Sequence, residues 1–341
     1  MAAGARAPAG VQGSVQDFAH RSRGKALKGE AEGDRLDNAA RAGWLYYVAG
    51  NTQDEVAQKL GVSRQTAQRL VSMAVSERLI KVRLDHPIAR CMELAAGLTE
   101  RFGLKLCEVV PSDPTSTSGS LGIAEACAAD MEQRLKSPHP IVLAIGSGRS
   151  LRAAVEQLQP LECPQHKIVS LVGNIAADGT ASFYDVIVRL ADAVQAPHYP
   201  MPLPVIASTS HERELFFEQA SVRQIVSLAT SADVTYVGVG DLGENPPLLQ
   251  DGFISRKELQ ILNKAGAVGE IVGWAFDAEG RLIEGLTNDR VASVKLDVPA
   301  ERLVVGVSMG EAKVRALGAA LRGKWLSGLI TDERTAERLL G

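Results

Sequence analysis

The sequence has no run of about 18 or more apolar residues, so no membrane-crossing helix is expected. The opening MAAGARAPAGVQGS has no apolar stretch of the kind a secretory leader carries. The four cysteines, Cys91, Cys107, Cys127 and Cys163, include no Cys-x-x-Cys pair, and none stands at zinc-finger spacing from a histidine. A disulfide framework is therefore not expected, and reduced thiols of a cytoplasmic protein are. There is no internal repeat and no Walker loop, because no Gly-Lys-Ser/Thr follows the glycine-rich turns. The first of those turns, GSGRSL at 146–151, is not Gly-x-Gly-x-x-Gly either. Nothing in these patterns asks for a metal or a cofactor.

What is present is a soluble globular composition, 45% hydrophobic and 23% charged, over 341 residues. That length suits two domains. Charge divides along the chain. Residues 1–90 hold 14 Lys and Arg against 9 Asp and Glu, and residues 91–341 hold 23 against 31. A basic head on an acidic body suits a head that meets a polyanion, although basic N-terminal tails are also often merely solvated.

Residues 1–33, rich in Ala, Gly, Arg and Lys, are expected to be a disordered tail. Helical patterning begins at Asp34, with Leu36, Ala39, Ala40, Gly43, Trp44 and Tyr47 at helical spacing. Thr52 and Glu55 form a capping-box pattern ahead of a second helix that Gly61 ends. Ser63 caps a third helix, RQTAQRLVSMAVSERL. Val56, Ala57 and Leu60 line one inner face; Ala67, Leu70 and Val71 line the other, and Val62 sits at the turn. The small Ala57 lets the two helices cross closely. This pattern predicts a helix-turn-helix over 34–86, with LIKVRLD as a short strand or wing.

The outer face of the third helix carries Arg64, Gln65, Gln68 and Arg69, side chains that match guanine and adenine edges in the major groove. Ser63 and Thr66 stand at its N-terminus, where hydroxyls meet phosphates or bases. The plainer alternative is an ordinary helical hairpin with a solvated polar face. IARCMELAAGLTERFG reads as a connecting helix over 87–103.

From Leu104 to Gly341 short β-branched runs alternate with amphipathic stretches. LCEVV, IVLAIG, KIVSLVG, PVIAS and DVTYVGVG are expected strands. EACAADMEQRL, SLRAAVEQL, YDVIVRLADAV and SVRQIVSLATSA are expected helices. The alternation predicts an α/β, Rossmann-like domain with a mostly parallel sheet. Three glycine-rich strand ends stand out. Gly146, Ser147, Gly148, Arg149 and Ser150 form a strand-to-helix turn whose backbone N–H groups suit oxyanions or sugar hydroxyls. VGVGDLG adds Asp241, and VVGVSMGEAK adds Lys313. Because ligands in such sheets gather at the carboxyl ends of strands, the three loops are candidates for one cleft. The turn at 173–182 offers Asn174 and Asp178. Each residue fits ordinary turn chemistry equally well.

Taken in order, these motifs resemble the SorC family of sugar-binding bacterial regulators over roughly residues 40–341. The resemblance rests on TQDEVAQKLGVSRQTAQRLVSMA, SLVGN, YDVIVRLADA with HYPMPLPV, ADVTYVGVGDLG, KAGAVGEIVGWAFDAEG and the end GEAKVRALGAALRGKWLSGLITDERTAERLL. It implies a C-terminal domain similar to the sugar-phosphate isomerase and glucosamine-phosphate deaminase fold, which binds an effector without turning it over. It also implies a homo-dimer or homo-tetramer acting on double-stranded operator DNA near carbohydrate or polyol genes. By position, residues 146–150 would hold the phosphate or polar end of the effector, and Glu270 and Lys313 would contact it.

The chain departs from the pattern at Met309-Gly310, where the family often has Gly-Gly before the residue matching Glu311. GSGRS also stands where many members have a bulkier residue or a threonine. The effector's phosphorylation state therefore stays open. GNIAADGTAS and HYPMPLPV look most like members that answer to polyols such as erythritol. The alternative reading is a sugar-phosphate isomerase or deaminase-like enzyme with an appended helical domain. Against it, the three loops hold no histidine and no motif that fixes an acid and a base.

Overall fold

The computed structural model describes residues 34–77, 79–80, 88–112, 120–175 and 186–341. It divides into two compact units, Met1–Asp85 and His86–Gly341.

In the first unit, α1 (34–43) runs into a π-turn over Trp44–Val48. α2 (Gln53–Leu60) and α3 (Arg64–Ser76) follow, joined by Gly61, Val62 and Ser63. The ends of α2 are set by local chemistry. The Thr52 hydroxyl accepts from Glu55 N, Glu55 accepts from Thr52 N at 2.7 Å, and Gly61 closes the helix at φ 65°. Ser63 caps α3 by accepting from Thr66 N at 3.2 Å. Ala39, Ala42, Val56, Ala57, Ala67, Leu70 and Val71 make a small core.

Two expectations change here. The periodicity places Trp44 and Tyr47 on the inner face, yet they are 55% and 43% exposed. The wider π-turn rotates them away from the stripe begun by Ala39. Helix α3 ends at Ser76, short of the predicted Leu79. The wing expected over 79–85 falls, from Lys81 onward, outside the described residues.

The second unit begins with α4 (Ala89–Phe102), which packs on β1 (Leu106–Val110) and on the last helix of the chain. Arg90 reaches Glu337 of that helix at 2.9 Å. After α5 (Ser120–Leu135), strand and helix alternate: β2 (Val142–Ile145), α6 (Arg149–Gln157), β3 (Lys167–Ile175), α7 (Val186–Val194) and β4 (His198–Pro204). Then come α8 (Ser210–Glu218), α9 (Ala220–Thr230), β5 (Val234–Val237) and β6 (Gly240–Asp241). The short α10 (Pro247–Gln250) and α11 (Arg256–Lys264) precede the β7 (Gly269–Ile271) and β8 (Trp274–Phe276) hairpin. β9 (Leu303–Val307), α12 (Val314–Arg322), β10 (Gly328–Asp332) and α13 (Glu333–Leu340) end the chain.

Seven strands form one parallel sheet in the order β1-β10-β9-β5-β2-β3-β4. A core containing Ile123, Leu151, Val155, Ile187 and Leu190 covers one face with α5, α6 and α7. A second core, with Leu98, Val222, Leu317, Trp325 and Leu339, covers the other with α4, α9, α12 and α13. Burial on both faces explains why the strands read as continuous β-branched runs.

PVIAS is not a strand of this sheet. The strand is the segment just before it, HYPMPLP, and Ile206 makes only an isolated bridge to Val291. That strand contains prolines at 200, 202 and 204, each without a backbone donor. In an extended chain alternate residues turn their N–H groups to the same side, so all three missing donors fall on one edge. β4 ends the sheet, and that edge has no partner strand. On the other edge the Leu203 carbonyl lies so close to Gly173 of β3 that a Cβ there would stand 2.0 Å away.

Candidate functional site

The sheet changes direction between β2 and β5. From β2 the chain steps outward to β3 and β4; from β5 it steps the other way to β9 and β10. At such a switch point the loops leaving the carboxyl ends diverge and leave a crevice. A cleft of about 230 Å³ lies there, bounded by the loop after β2, the loop after β5, the β7–β8 turn and Lys313. It is smaller than the roughly 300–1,000 Å³ of pockets for drug-sized ligands, so it suits a molecule of a few carbons.

The structure brings Ser147, Gly148, Arg149, Ser150, Asp241, Glu270 and Lys313 to this one cleft. Gly146 lies buried at the root of its loop, where its N–H donates to the Tyr236 carbonyl at 2.9 Å. Tyr236 is itself pinned from below. Its hydroxyl donates to Asp130 at 2.5 Å, and Arg134 grips the same carboxylate with two bonds of 2.9 Å. Helix α6 starts at Arg149 after an N-cap glycine that makes no side-chain cap, and its first turn lines the cleft. Asn174 stands near the end of β3, and Asp178 lies outside the described residues.

Glu270 owes its place to a missing side chain. Gly240 pairs with it across β6 and β7, and a Cβ on Gly240 would stand 2.0 Å from the Glu270 carboxylate. The carboxylate therefore crosses over Gly240 and accepts from Gly273 N at 2.7 Å. Burial pushes the Glu270 carboxyl above the usual range. The Gly273 N–H and the Lys313 charge oppose that shift, and Asp241 and Asp251 add to it. Burial likewise lowers the Lys313 ammonium, against the pull of Glu270 and Asp241.

A carboxyl raised in the folded state binds more protons folded than unfolded. Its ionisation then costs stability as pH rises through the folded value. Glu270→Gln keeps an acceptor for Gly273 N and removes that cost. Its thermal midpoint at pH 7.5 is expected about 1–3 °C above the parent's, with the gap closing as pH falls. A lower midpoint at pH 7.5 would contradict the assignment.

Sequence reasoning missed the outer wall. Asn245, Leu248, Gln250, Asp251 and Phe253 come from the stretch between β6 and α11. That stretch closes over its own small core of Leu242, Leu248, Ile254, Leu259 and Leu262. Arg149 Nη2 donates to Gln250 Oε1 at 2.8 Å and stands 3.9 Å from Asp251. Burial raises the Asp251 carboxyl, and Arg149 opposes it. The sequence signal was slight, because QDG reads as turn chemistry. The floor is apolar: Val172, Val205, Val239 and Val272.

In the first unit, Arg64, Gln65, Gln68 and Arg69 are exposed along α3. Arg64 also pairs with Asp54 of α2 at 3.3 Å. The Ser63 and Thr66 hydroxyls bond each other at 2.9 Å as part of the helix cap. Among the described residues no helix is long and apolar enough to cross a membrane. No group of three or more His, Cys, Asp or Glu among them is arranged to hold a metal ion.

Residues 86–341 match the model of the family described as "Putative sugar-binding domain". The erythritol catabolism regulatory protein EryD of Brucella abortus (strain 2308) is 33% identical over 303 residues, 89% of this chain and 96% of that protein. Transcriptional regulator LsrR of Klebsiella pneumoniae subsp. pneumoniae is 32% identical over 309 residues, 88% of this chain and 92% of that one. Among solved structures, the full-length sorbitol operon regulator SorC from Klebsiella pneumoniae shares the fold. Its TM-score is 0.67 at 23% identity, over 90% of this chain and 100% of that one. These relatives are named as regulators, not enzymes. With the family model spanning the whole second unit and the relatives spanning nearly the whole chain, the protein belongs to the SorC-type family of sugar-binding transcriptional regulators.

Proposed function

We propose that the protein is an operator-binding regulator of carbohydrate or polyol catabolism whose DNA affinity is set by a small polyhydroxy effector in the switch-point cleft. The observation that carries this reading is the convergence there of Ser147, Gly148, Arg149, Ser150, Asp241, Glu270 and Lys313. Backbone N–H groups at the start of α6, two cations and several carboxylates can together satisfy both lone pairs and protons of hydroxyl groups. The apolar floor suits the carbon chain. The sensing domain is read as similar to the sugar-phosphate isomerase and glucosamine-phosphate deaminase fold, used here to bind and not to convert. Asn174 and Asp178 belong to the proposed effector set as polar groups of the 173–182 turn, on the sequence alone.

The head is proposed as a winged helix-turn-helix with α3 as the reading helix. In support, α2 and α3 are joined by only three residues, and Arg64, Gln65, Gln68 and Arg69 face outward. Ser63 and Thr66 are assigned to the phosphate at the α3 N-terminus. A dimer or tetramer would offer two such helices to two half-sites. α4, packed on β1 and α13 and next in sequence to the head, is the element through which effector binding would bias the heads.

A thermal-shift screen of polyols, sugars and sugar phosphates tests the sensing half. A ligand at 100 times its Kd adds about 2.7 kcal/mol to stability and raises the midpoint accordingly. If no compound of these classes moves the midpoint, the cleft is not a polyhydroxy sensor.

A further inference from the structure

We propose that the cleft selects an uncharged polyol and discriminates against its phosphate ester. The proposal rests on the sensing function above and adds the charge of the ligand.

The argument begins with the place an anion would take. The N-terminus of α6 and the Arg149 guanidinium would be the natural phosphate seat of the loop. That guanidinium is already drawn across the cleft mouth onto the outer wall, bonded to Gln250 at 2.8 Å and close to Asp251 at 3.9 Å. Gln250 is in turn held by its own bond to the Asn245 carbonyl at 2.7 Å, so it is a fixed acceptor. The second cation, Lys313, interacts with the carboxylates of Glu270 and Asp241. The two cations of the cleft therefore share three carboxylates of the protein, Asp241, Asp251 and Glu270.

A phosphate ester brings about −1.5 to −2 charges at pH 7. It would enter beside Asp241, Asp251 and Glu270 in a space of about 230 Å³ with apolar walls that screen poorly. A polyol meets the opposite situation. Carboxylates accept hydroxyl protons, and Lys313 and the first N–H groups of α6 donate to hydroxyl oxygens. A polyol hydroxyl both donates and accepts, so one ligand can use the carboxylates and the donors together without adding charge. Val172, Val205, Val239 and Val272 face the carbon skeleton.

The test is calorimetric titration of the full chain with erythritol, ribitol and sorbitol, each beside its terminal monophosphate, and with inorganic phosphate. At least one polyol is expected to bind, with its monophosphate weaker by roughly tenfold or more. Asp251→Asn is expected to narrow that gap several-fold, because it removes a negative charge from the cleft beside Arg149. A monophosphate that binds more tightly than its polyol overturns the selectivity and leaves the sensing function standing. Binding of neither form, with no compound moving the thermal midpoint, overturns both. An Asp251→Asn variant that binds both polyol and ester with the parent's ratio also refutes the proposal, since the carboxylate then plays no part in the choice. Circular dichroism of that variant separates this last result from misfolding.

Discussion

Replacing Gln65 and Arg69 together by alanine is expected to abolish most sequence-specific binding to the operator. Bidentate contacts from such side chains contribute about 1–3 kcal/mol each, so the pair corresponds to a loss of roughly 30-fold at the least and about 25,000-fold at the most. Both residues are exposed on α3 and contribute nothing to the core of Ala39, Val56, Ala67 and Leu70, so the thermal midpoint should not move. The measurement is a titration of labelled operator and of random duplex at the same salt concentration. Loss on the operator with little loss on random DNA identifies base readers. Equal loss on both would mean that these side chains hold phosphates. No loss on either would remove α3 from the DNA interface.

Lys313→Ala is expected to cost the effector roughly 10- to 150-fold in affinity, the equivalent of one charge-assisted hydrogen bond of about 1.5–3 kcal/mol. Lys313 ends the short 3-10 turn Glu311–Lys313 and lines the cleft beside Glu270 and Asp241. Alanine keeps the backbone bond from residue 313 N to Gly310 O, so the turn should persist. The variant leaves two neighbouring carboxylates without their cation, and Lys313→Gln controls for that. It too should lose effector affinity, and it can still donate a hydrogen bond to a carboxylate. Operator binding without effector should equal the parent's in both variants. A parental effector affinity in Lys313→Ala would take this residue out of the site.

The part of the molecule legible in the sequence is the part decided by near neighbours. The Thr52–Glu55 capping box, the Gly61 helix end and the Ser63 cap are each settled within four residues, and the structure contains all three. The parallel sheet was legible because strands buried on both faces must be apolar throughout. HYPMPLP was not, because proline forbids a strand only where its donor is needed, and edge position is a tertiary fact. Trp44 and Tyr47 failed because helical periodicity assumes the α repeat, and the chain winds wider there.

The cleft divides in the same way. The glycine-rich turns announced themselves at strand ends. Their meeting in one cleft was expected from the rule that ligands gather at the carboxyl ends of strands, whereas the strand order that sets which loops face each other is a tertiary fact. Glu270 is intelligible only beside Gly240, thirty positions earlier, whose missing side chain it crosses. Gln250 and Asp251 carried no signal beyond a turn, since their partner Arg149 lies about a hundred residues away.

The most direct test of the account is an operator titration with the parent protein and the Lys313→Ala variant, with and without the polyol that most raises the parent's thermal midpoint. For the parent, saturating polyol should change operator affinity by roughly 5- to 150-fold, the range of a coupling free energy of about 1–3 kcal/mol. For the variant, the same polyol concentration should produce little change. A parent protein that binds the polyol calorimetrically and keeps the same operator affinity would contradict the claim that the cleft controls the DNA-reading head.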